Sequence, residues 1–395
     1  MTATFDASGQ QIKVAFWNNP KVRSAAFQVL LVFLVGVLFY EIIVNTIENL
    51  KSRNIASGFG FWYKTSGFDI IQSLIPYSSS STYGTAILVG FYNTILLSIL
   101  SIILATIIGF TMGVARLSKN WLVARVGTLY VEIFRNIPLL LWIFIFYSAL
   151  LQPLPNVKQS LNVFDSFFLS NRGLMMPKPI FEPGFWIGPV ALVIAIIATV
   201  VLAKWSNARQ LRTGETFPVL WTSLALIFGL PLLGMLVAGF PLSWEYPVFK
   251  GFNFTGGINV ISEFIAMFLA LSIYSGTYIA ESVRAGIQAI SHGQSEASYA
   301  LGLRPGKALR LVVIPQAMRV IIPPLSSSYM SITKNSSLAV AVGFPDLVAT
   351  GGTVLNQTGQ AIEIVGIFMI VYLTLSLVTS LLMNWFNSRM KLVER

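Results

Sequence analysis

An all-α, polytopic integral membrane protein is the fold class this sequence predicts, and three observations predict it. Of its 395 residues, 55% are hydrophobic and only 10% are charged, whereas a soluble protein of this size carries about a quarter charged residues. The apolar residues fall in long blocks, and about 20 such residues cross a bilayer core roughly 30 Å thick. The cations gather on one side of those blocks, as they do in oriented membrane proteins.

About eight transmembrane helices are expected, over Ala25–Thr46, Tyr83–Val114, Val123–Leu151, Phe185–Ala203, Pro218–Phe240, Val260–Val283, Val320–Gly343 and Ile362–Phe386. The first block follows a long flank, residues 1–24, and exceeds the apolar core of a cleavable signal, so it reads as a span.

With the N-terminus in the cytoplasm, the inner segments hold Lys13, Lys21, Arg23, Arg116, Lys119, Arg125, Lys204, Arg209, Arg212, Arg284, Arg304, Lys307, Arg310, Arg319, Arg389, Lys391 and Arg395. The outer segments hold only Lys51, Arg53, Lys64, Lys158, Arg172, Lys178 and Lys250, which places both termini in the cytoplasm. The net charge of +11 is therefore a topology signal, and no nucleic-acid partner is expected. Cysteine is absent, which excludes disulfides and Cys-ligated metals.

Residues 1–82 read as a cytoplasmic N-terminus, the first transmembrane helix and an extracytoplasmic segment. Residues 83–388 read as the transmembrane domain and 389–395 as a cytoplasmic tail. Residues 47–82 end in the loop-like run Ser78–Ser81, and 152–184 and 241–259 read as outer loops broken by prolines and glycines. Residues 204–217 read as a short inner turn. The seventh span holds Pro323–Pro324 and then SSSYMSITKNSS, with Lys334 deep inside. Such irregular, charged backbone survives at membrane depth only beside protein or a wet cavity. This span is expected to face the interior of the assembly and to offer a solute path.

The stretch GQSEASYALGLRPGKALRLVVIP, residues 293–315, lies on the inner side between two apolar spans. It reads as two short helices. Ser291 or Ser295 caps the first, Ala297, Ala300 and Leu301 give it a small apolar face, and Gly302 supplies the left-handed stop. Pro305 suits the first turn of the second helix. Leu309, Val312, Val313 and Ala317 recur there at helical spacing, and Pro315 turns the chain back to the bilayer. A foot of this kind serves either as a lid on its own helix ends or as a docking element that transmits a push.

Glu296–Ala297–Ser298, then Gly302, Val312 and Ile314–Pro315, resemble the EAA loop of bacterial ABC importer permeases. YIAESVRAGIQAISHGQ (278–294), PQAMRVIIPPL (315–325), KNSSLA (334–339), RLSKN (116–120) and YVEIFRNIPLLL (130–141) are similar to the polar amino-acid branch of that family. The resemblance covers 83–151 and 258–388 and implies a type-1 ABC permease fold with a two-span insert over 152–257. That long form resembles permeases of the general L-amino-acid and glutamate/glutamine/aspartate/asparagine importers.

The resemblance implies a non-enzymatic permease subunit of the bacterial inner membrane, importing L-amino acids by alternating access. Gly293, Gln294, Glu296, Ala297, Ser298, Gly302 and Pro315 would form or shape the contact with an ATP-binding subunit dimer. Its other partners would be a second, related permease and a periplasmic amino-acid-binding protein, besides the lipid bilayer.

Arg135, Pro138, Lys334, Asn335, Ser336 and Ser337 are candidates for the translocation path. Glu132 with Arg135, and Glu281 with Arg284, stand at i, i+3 and read first as neutralising pairs. No cofactor or metal is expected; His292, the only histidine, has no ligand cluster near it in sequence. GLRPGKA (302–308) falls short of a Walker A, with three residues between its glycines and Ala308 in place of the hydroxyl residue. ATP hydrolysis is therefore expected in a partner chain. The alternative reading, a self-contained ion-coupled transporter, predicts paired broken repeats, of which the sequence offers one.

Overall fold

The computed structural model describes residues 20–53 and 56–390. Lys13, Lys391 and Arg395, used above for orientation, lie outside the described residues. Among those described, seven helices are long and apolar enough to cross a membrane, or eight if one sharply bent pair counts as a span. The first is α1, Pro20–Ser52, apolar all round and exposed along almost its whole length, as a helix facing lipid is. A 3₁₀ turn, Phe59–Tyr63, leads to α2, Tyr83–Ala115, whose first turn is capped by the Thr82 hydroxyl accepting from the Thr85 N–H.

The third expected span is not straight. Helix α3, Trp121–Asn136, and α4, Leu139–Phe144, which runs on as a wide π turn through Leu151, meet at 102°. Pro138 lacks an N–H and forces extended backbone on the residue before it, and Ile137 indeed has ψ 131°. Hydropathy sees one apolar block, while the proline divides it.

The outer segments expected as loops are largely paired. Strands β1 (Leu161–Val163), β2 (Phe167–Ser170), β3 (Gly173–Met176) and β4 (Lys178–Phe181) precede α5, Ile187–Thr213, and α6, Val219–Val237. After the α5–α6 hairpin come β5 (Leu242–Glu245), β6 (Val248–Lys250), β7 (Asn253–Thr255) and β8 (Ile258–Ile261). Strands β1, β2, β3 and β8 form one antiparallel sheet in that order, and β4–β5 and β6–β7 form two ribbons. The expected inner turn at 204–217 is mostly helix. Good helix formers carry α5 through Thr213 until Gly214, at φ 73°, stops it.

The remaining helices build the core: α7, Ser262–Gln288; α8, His292–Ala300; α9, Pro305–Ala308; α10, Ile314–Asn335; α11, Leu347–Thr358; and α12, Ala361–Arg389. Helices α2 and α7 run side by side because glycines let their backbones approach. A Cβ on Gly113 would stand 2.7 Å from the Ala280 carbonyl oxygen, and one on Gly109 would meet the Ile279 side chain. Leu97, Met267, Leu271, Ile279, Ile321 and Ile332 are fully buried around this seam. Two hydroxyl contacts complete it: Tyr130 donates to the Ile273 carbonyl at 2.6 Å, and the hydroxyls of Tyr329 and Thr106 lie 2.8 Å apart.

Candidate functional site: an uncovered foot and a polar cavity

Helix α8 ends as its sequence predicts. Gly302 has φ +76°, its N–H bonds the Tyr299 carbonyl at 2.9 Å, and the Leu303 N–H reaches back to Ser298 at 3.1 Å. These two bonds are a Schellman motif, which a glycine in the left-handed region closes without steric cost. The start of the helix differs from expectation: Ser291 holds the capping position, yet neither it nor Ser295 makes a side-chain cap bond. Ser298, at the position where the EAA motif usually has alanine, is buried and donates to the Ser295 carbonyl at 2.7 Å. Gly293, Gln294, Glu296, Ala297, Ala300 and Gly302 all remain exposed, and Leu301 is 81% exposed. The foot thus turns one side to its own chain and leaves its small-residue face uncovered.

The second foot helix is not separate. Pro305 opens α9, a π turn over Leu309–Val313 follows, and α10 continues to Asn335. Pro315 does not turn the chain; the wider π turn before it accommodates the missing N–H. Pro323 and Pro324 likewise sit inside α10 without ending it. The foot is therefore the end of a helical rod that enters the bundle, and Gln316 bonds Gln294 across its base at 3.3 Å.

Farther along this rod, Ser327, Ser331 and Asn335 fall at i, i+4 and i+8 and line a cavity of about 330 Å³ with Tyr274 and Tyr278 of α7. The two phenols are 2.9 Å apart, and the Arg135 guanidinium carbon lies 5.2 Å above the Tyr278 ring. The expected path residues separate here. Asn335 lines the cavity, Arg135 reaches only the ring of Tyr278 in its wall, and Pro138 shapes the α3–α4 bend. Ser336 is buried and donates to the Thr333 carbonyl, Ser337 donates to the Lys334 carbonyl, and Lys334 is exposed.

The Glu132–Arg135 pair does not form among the described residues. The Glu281–Arg284 pair does, at 2.5 Å, and Arg116 of α2 joins it at 2.5 Å.

Sequence reading missed Tyr274, Tyr278 and Asp346, whereas Ser327 and Ser331 lie in the polar run expected to offer a solute path without being singled out in it. The i, i+4 spacing of the two tyrosines carries a signal for them. Asp346 carries only the local signal of a helix cap: fully buried, it caps α11 by accepting from the Ala349 N–H at 2.8 Å, and the fold adds the Tyr372 hydroxyl at 3.5 Å.

Residues 183–392, more than half of the chain, match the family described as binding-protein-dependent transport system inner membrane component. The chain is 54% identical over 395 residues to the general L-amino acid transport system permease protein AapQ of Rhizobium johnstonii, covering all of this chain and 98% of that one. It is 44% identical over 412 residues to the glutamate/glutamine/aspartate/asparagine transport system permease protein BztB of Rhodobacter capsulatus, covering 95% and 96%. To the glutamate/aspartate import permease protein GltJ of Escherichia coli strain K12 it is 25% identical over 313 residues, covering 79% and 90%. The uncovered foot, the helical rod and the many apolar helices agree with this match, and the chain belongs to the binding-protein-dependent transport system inner membrane component family, as a multi-pass membrane permease.

Proposed function

We propose that this permease is the membrane-spanning subunit of an ATP-driven importer that carries L-amino acids, polar, acidic or of broad range, from periplasm to cytoplasm by alternating access. The names of the relatives support the substrate class. Arg116, Arg284, Arg304, Lys307, Arg310, Arg319 and Arg389 gather at the end of the bundle that carries α8, which supports a cytoplasmic foot in the bacterial inner membrane. The partners are an ATP-binding subunit dimer below, a second related permease beside it and a periplasmic binding protein above. In this reading 83–151 and 258–388 are the permease core and 152–257 is an insert.

One observation carries the mechanism: α8 leaves a small-residue face uncovered while its far side is locked onto a helical rod that lines the polar cavity. When nucleotide binding draws the ATP-binding subunits together, a seated foot moves with them, and α9 and α10 relay that motion to Ser327, Ser331 and Asn335. The cavity then opens alternately to either side. The relatives and the matching family support this reading over the ion-coupled alternative.

The chain has no cysteine, so single-cysteine cross-linking is direct. Ala297→Cys in the assembled transporter is expected to cross-link to the ATP-binding subunit, and buried Ser298→Cys is expected not to. Cross-links from position 297 to lipid or to this chain alone would sink the coupling role.

A further inference from the structure

Where the strand layer meets α7, a cavity of about 660 Å³ opens, lined among others by Tyr147, Arg172, Asn253, Asn259 and Glu263. Arg172 and Glu263 carry its charges. Neither has an ion-pair partner among the described residues, and they do not reach one another across the cavity. Glu263 is anchored by the Tyr147 hydroxyl, which donates at 3.0 Å, and by that of Ser262 at 3.3 Å. The Arg172 side chain is exposed and makes no hydrogen bond among the described residues.

Backbone register sets this juxtaposition. Ser170 pairs with Gly173, so Asn171 and Arg172 are the two loop residues of the β2–β3 hairpin. Gly173 in turn pairs with Ile261, the last residue before α7. At φ +119°, and with a Cβ that would collide with the Val260 carbonyl, position 173 accepts only glycine, which seats the hairpin flush against β8. The next residues along the two chains are Arg172 and Ser262, with Glu263 following. Glu263 and Ile261 also line a neighbouring cavity of about 450 Å³ that reaches Gly343 and Thr350.

A guanidinium and a carboxylate that share one cavity without pairing suit a solute carrying both charges. Arg172 would grip a carboxylate with two parallel N–H bonds, and Glu263 would accept from an ammonium. A simple anion would meet Glu263 and a simple cation Arg172, each unfavourably. Resting on the amino-acid reading above, we propose that this cavity is an acceptance site for the zwitterionic head of an α-amino acid, gripped by Arg172 of the inserted hairpin and Glu263 of α7. Recognition falls on the head common to all such solutes, which leaves the side chain free and makes the site tolerant of many.

The test is equilibrium binding of radiolabelled L-glutamine to the complete transporter in nanodiscs, without the binding protein. Competitors are glutaramic acid, which lacks the α-ammonium, and 4-aminobutanamide, which lacks the carboxylate. The wild type is expected to bind saturably, with both competitors at least about tenfold weaker than unlabelled L-glutamine, since a charge-assisted contact is worth about that factor. Arg172→Ala and Glu263→Gln are each expected to weaken binding about tenfold, Arg172→Lys less, and Lys178→Ala, away from the cavity, not at all.

Absence of saturable binding to the wild type, or wild-type binding by both Arg172→Ala and Glu263→Gln, overturns the proposal. ATP-driven uptake of L-glutamine, measured in parallel with the binding protein present, separates the failures. A wild-type transporter that imports while those variants bind normally loses only this site, and one that imports no amino acid loses the proposed function as well.

Discussion

The guanidinium carbon of Arg135 stands 5.2 Å over the ring of Tyr278, whose hydroxyl lies 2.9 Å from that of Tyr274. A cation over an aromatic face is worth about 0.5–2 kcal/mol, more where water is excluded. The contact joins the end of α3 to the wall of the cavity. Arg135→Ala is expected to lower initial uptake by roughly threefold to tenfold at equal membrane abundance, and Arg135→Lys by less, because an ammonium keeps the charge but loses the planar stack. Vesicle uptake normalised to permease content checks it; unchanged uptake in Arg135→Ala would remove Arg135 from the path.

Gly302 separates backbone strain from bulk. A Cβ there would meet nothing within 4 Å, so Gly302→Ala costs only the left-handed backbone, about 1–2 kcal/mol. It is expected to keep ATP-binding subunit co-purification and to weaken substrate-stimulated ATPase activity. Gly302→Trp places a large ring on the uncovered face and is expected to abolish co-purification. Normal transport by the tryptophan variant would defeat the coupling role of α8.

Gly90 faces the buried cap of α11. A Cβ there would stand 2.7 Å from the Asp346 carbonyl oxygen and collide with the Thr350 hydroxyl. Gly90→Ala is therefore expected to destabilise the protein by about 1–3 kcal/mol through overpacking. Gly36→Ala, on lipid-facing α1 with nothing within 4 Å, is expected to be neutral or slightly stabilising. Thermal melts of the two variants in detergent give the comparison.

Glu281 holds two cations, Arg116 of α2 and Arg284 of its own helix. Its side chain is 29% exposed, so each pair contributes modestly, and a shared carboxylate about 1 kcal/mol. Glu281→Gln leaves two arginines facing a neutral amide. A lower melting temperature, by about 2–4 °C, is expected at low salt, with a smaller loss at high salt as the exposed charges are screened. Equal melts for wild type and variant at low salt would show that the cluster does not hold α2 to α7.

The foot was legible because its signals are local. Gly302, Pro305 and the small residues of 297–301 state their own backbone preferences, and the structure realises them. The β2–β3–β8 sheet was not. Its strands are three or four residues long, prolines punctuate them, and the pairing of Gly173 with Ile261 spans a whole helical hairpin. No window along the chain carries that register. The same holds for the contact of Asp346 with Tyr372, which only the fold assembles, while its cap on Ala349 is local.

By itself the sequence determined the membrane class, the spans and the glycine-stopped foot, because hydrophobic length and backbone preference act over neighbouring residues. The tertiary structure decided the bend at Pro138, the unbroken passage of the rod through Pro315, the meeting of Tyr278 with Arg135 and the placing of Arg172 and Glu263 on one cavity. Those outcomes rest on packing and strand register between distant segments, where the free energy of each contact depends on where the rest of the chain has already been placed.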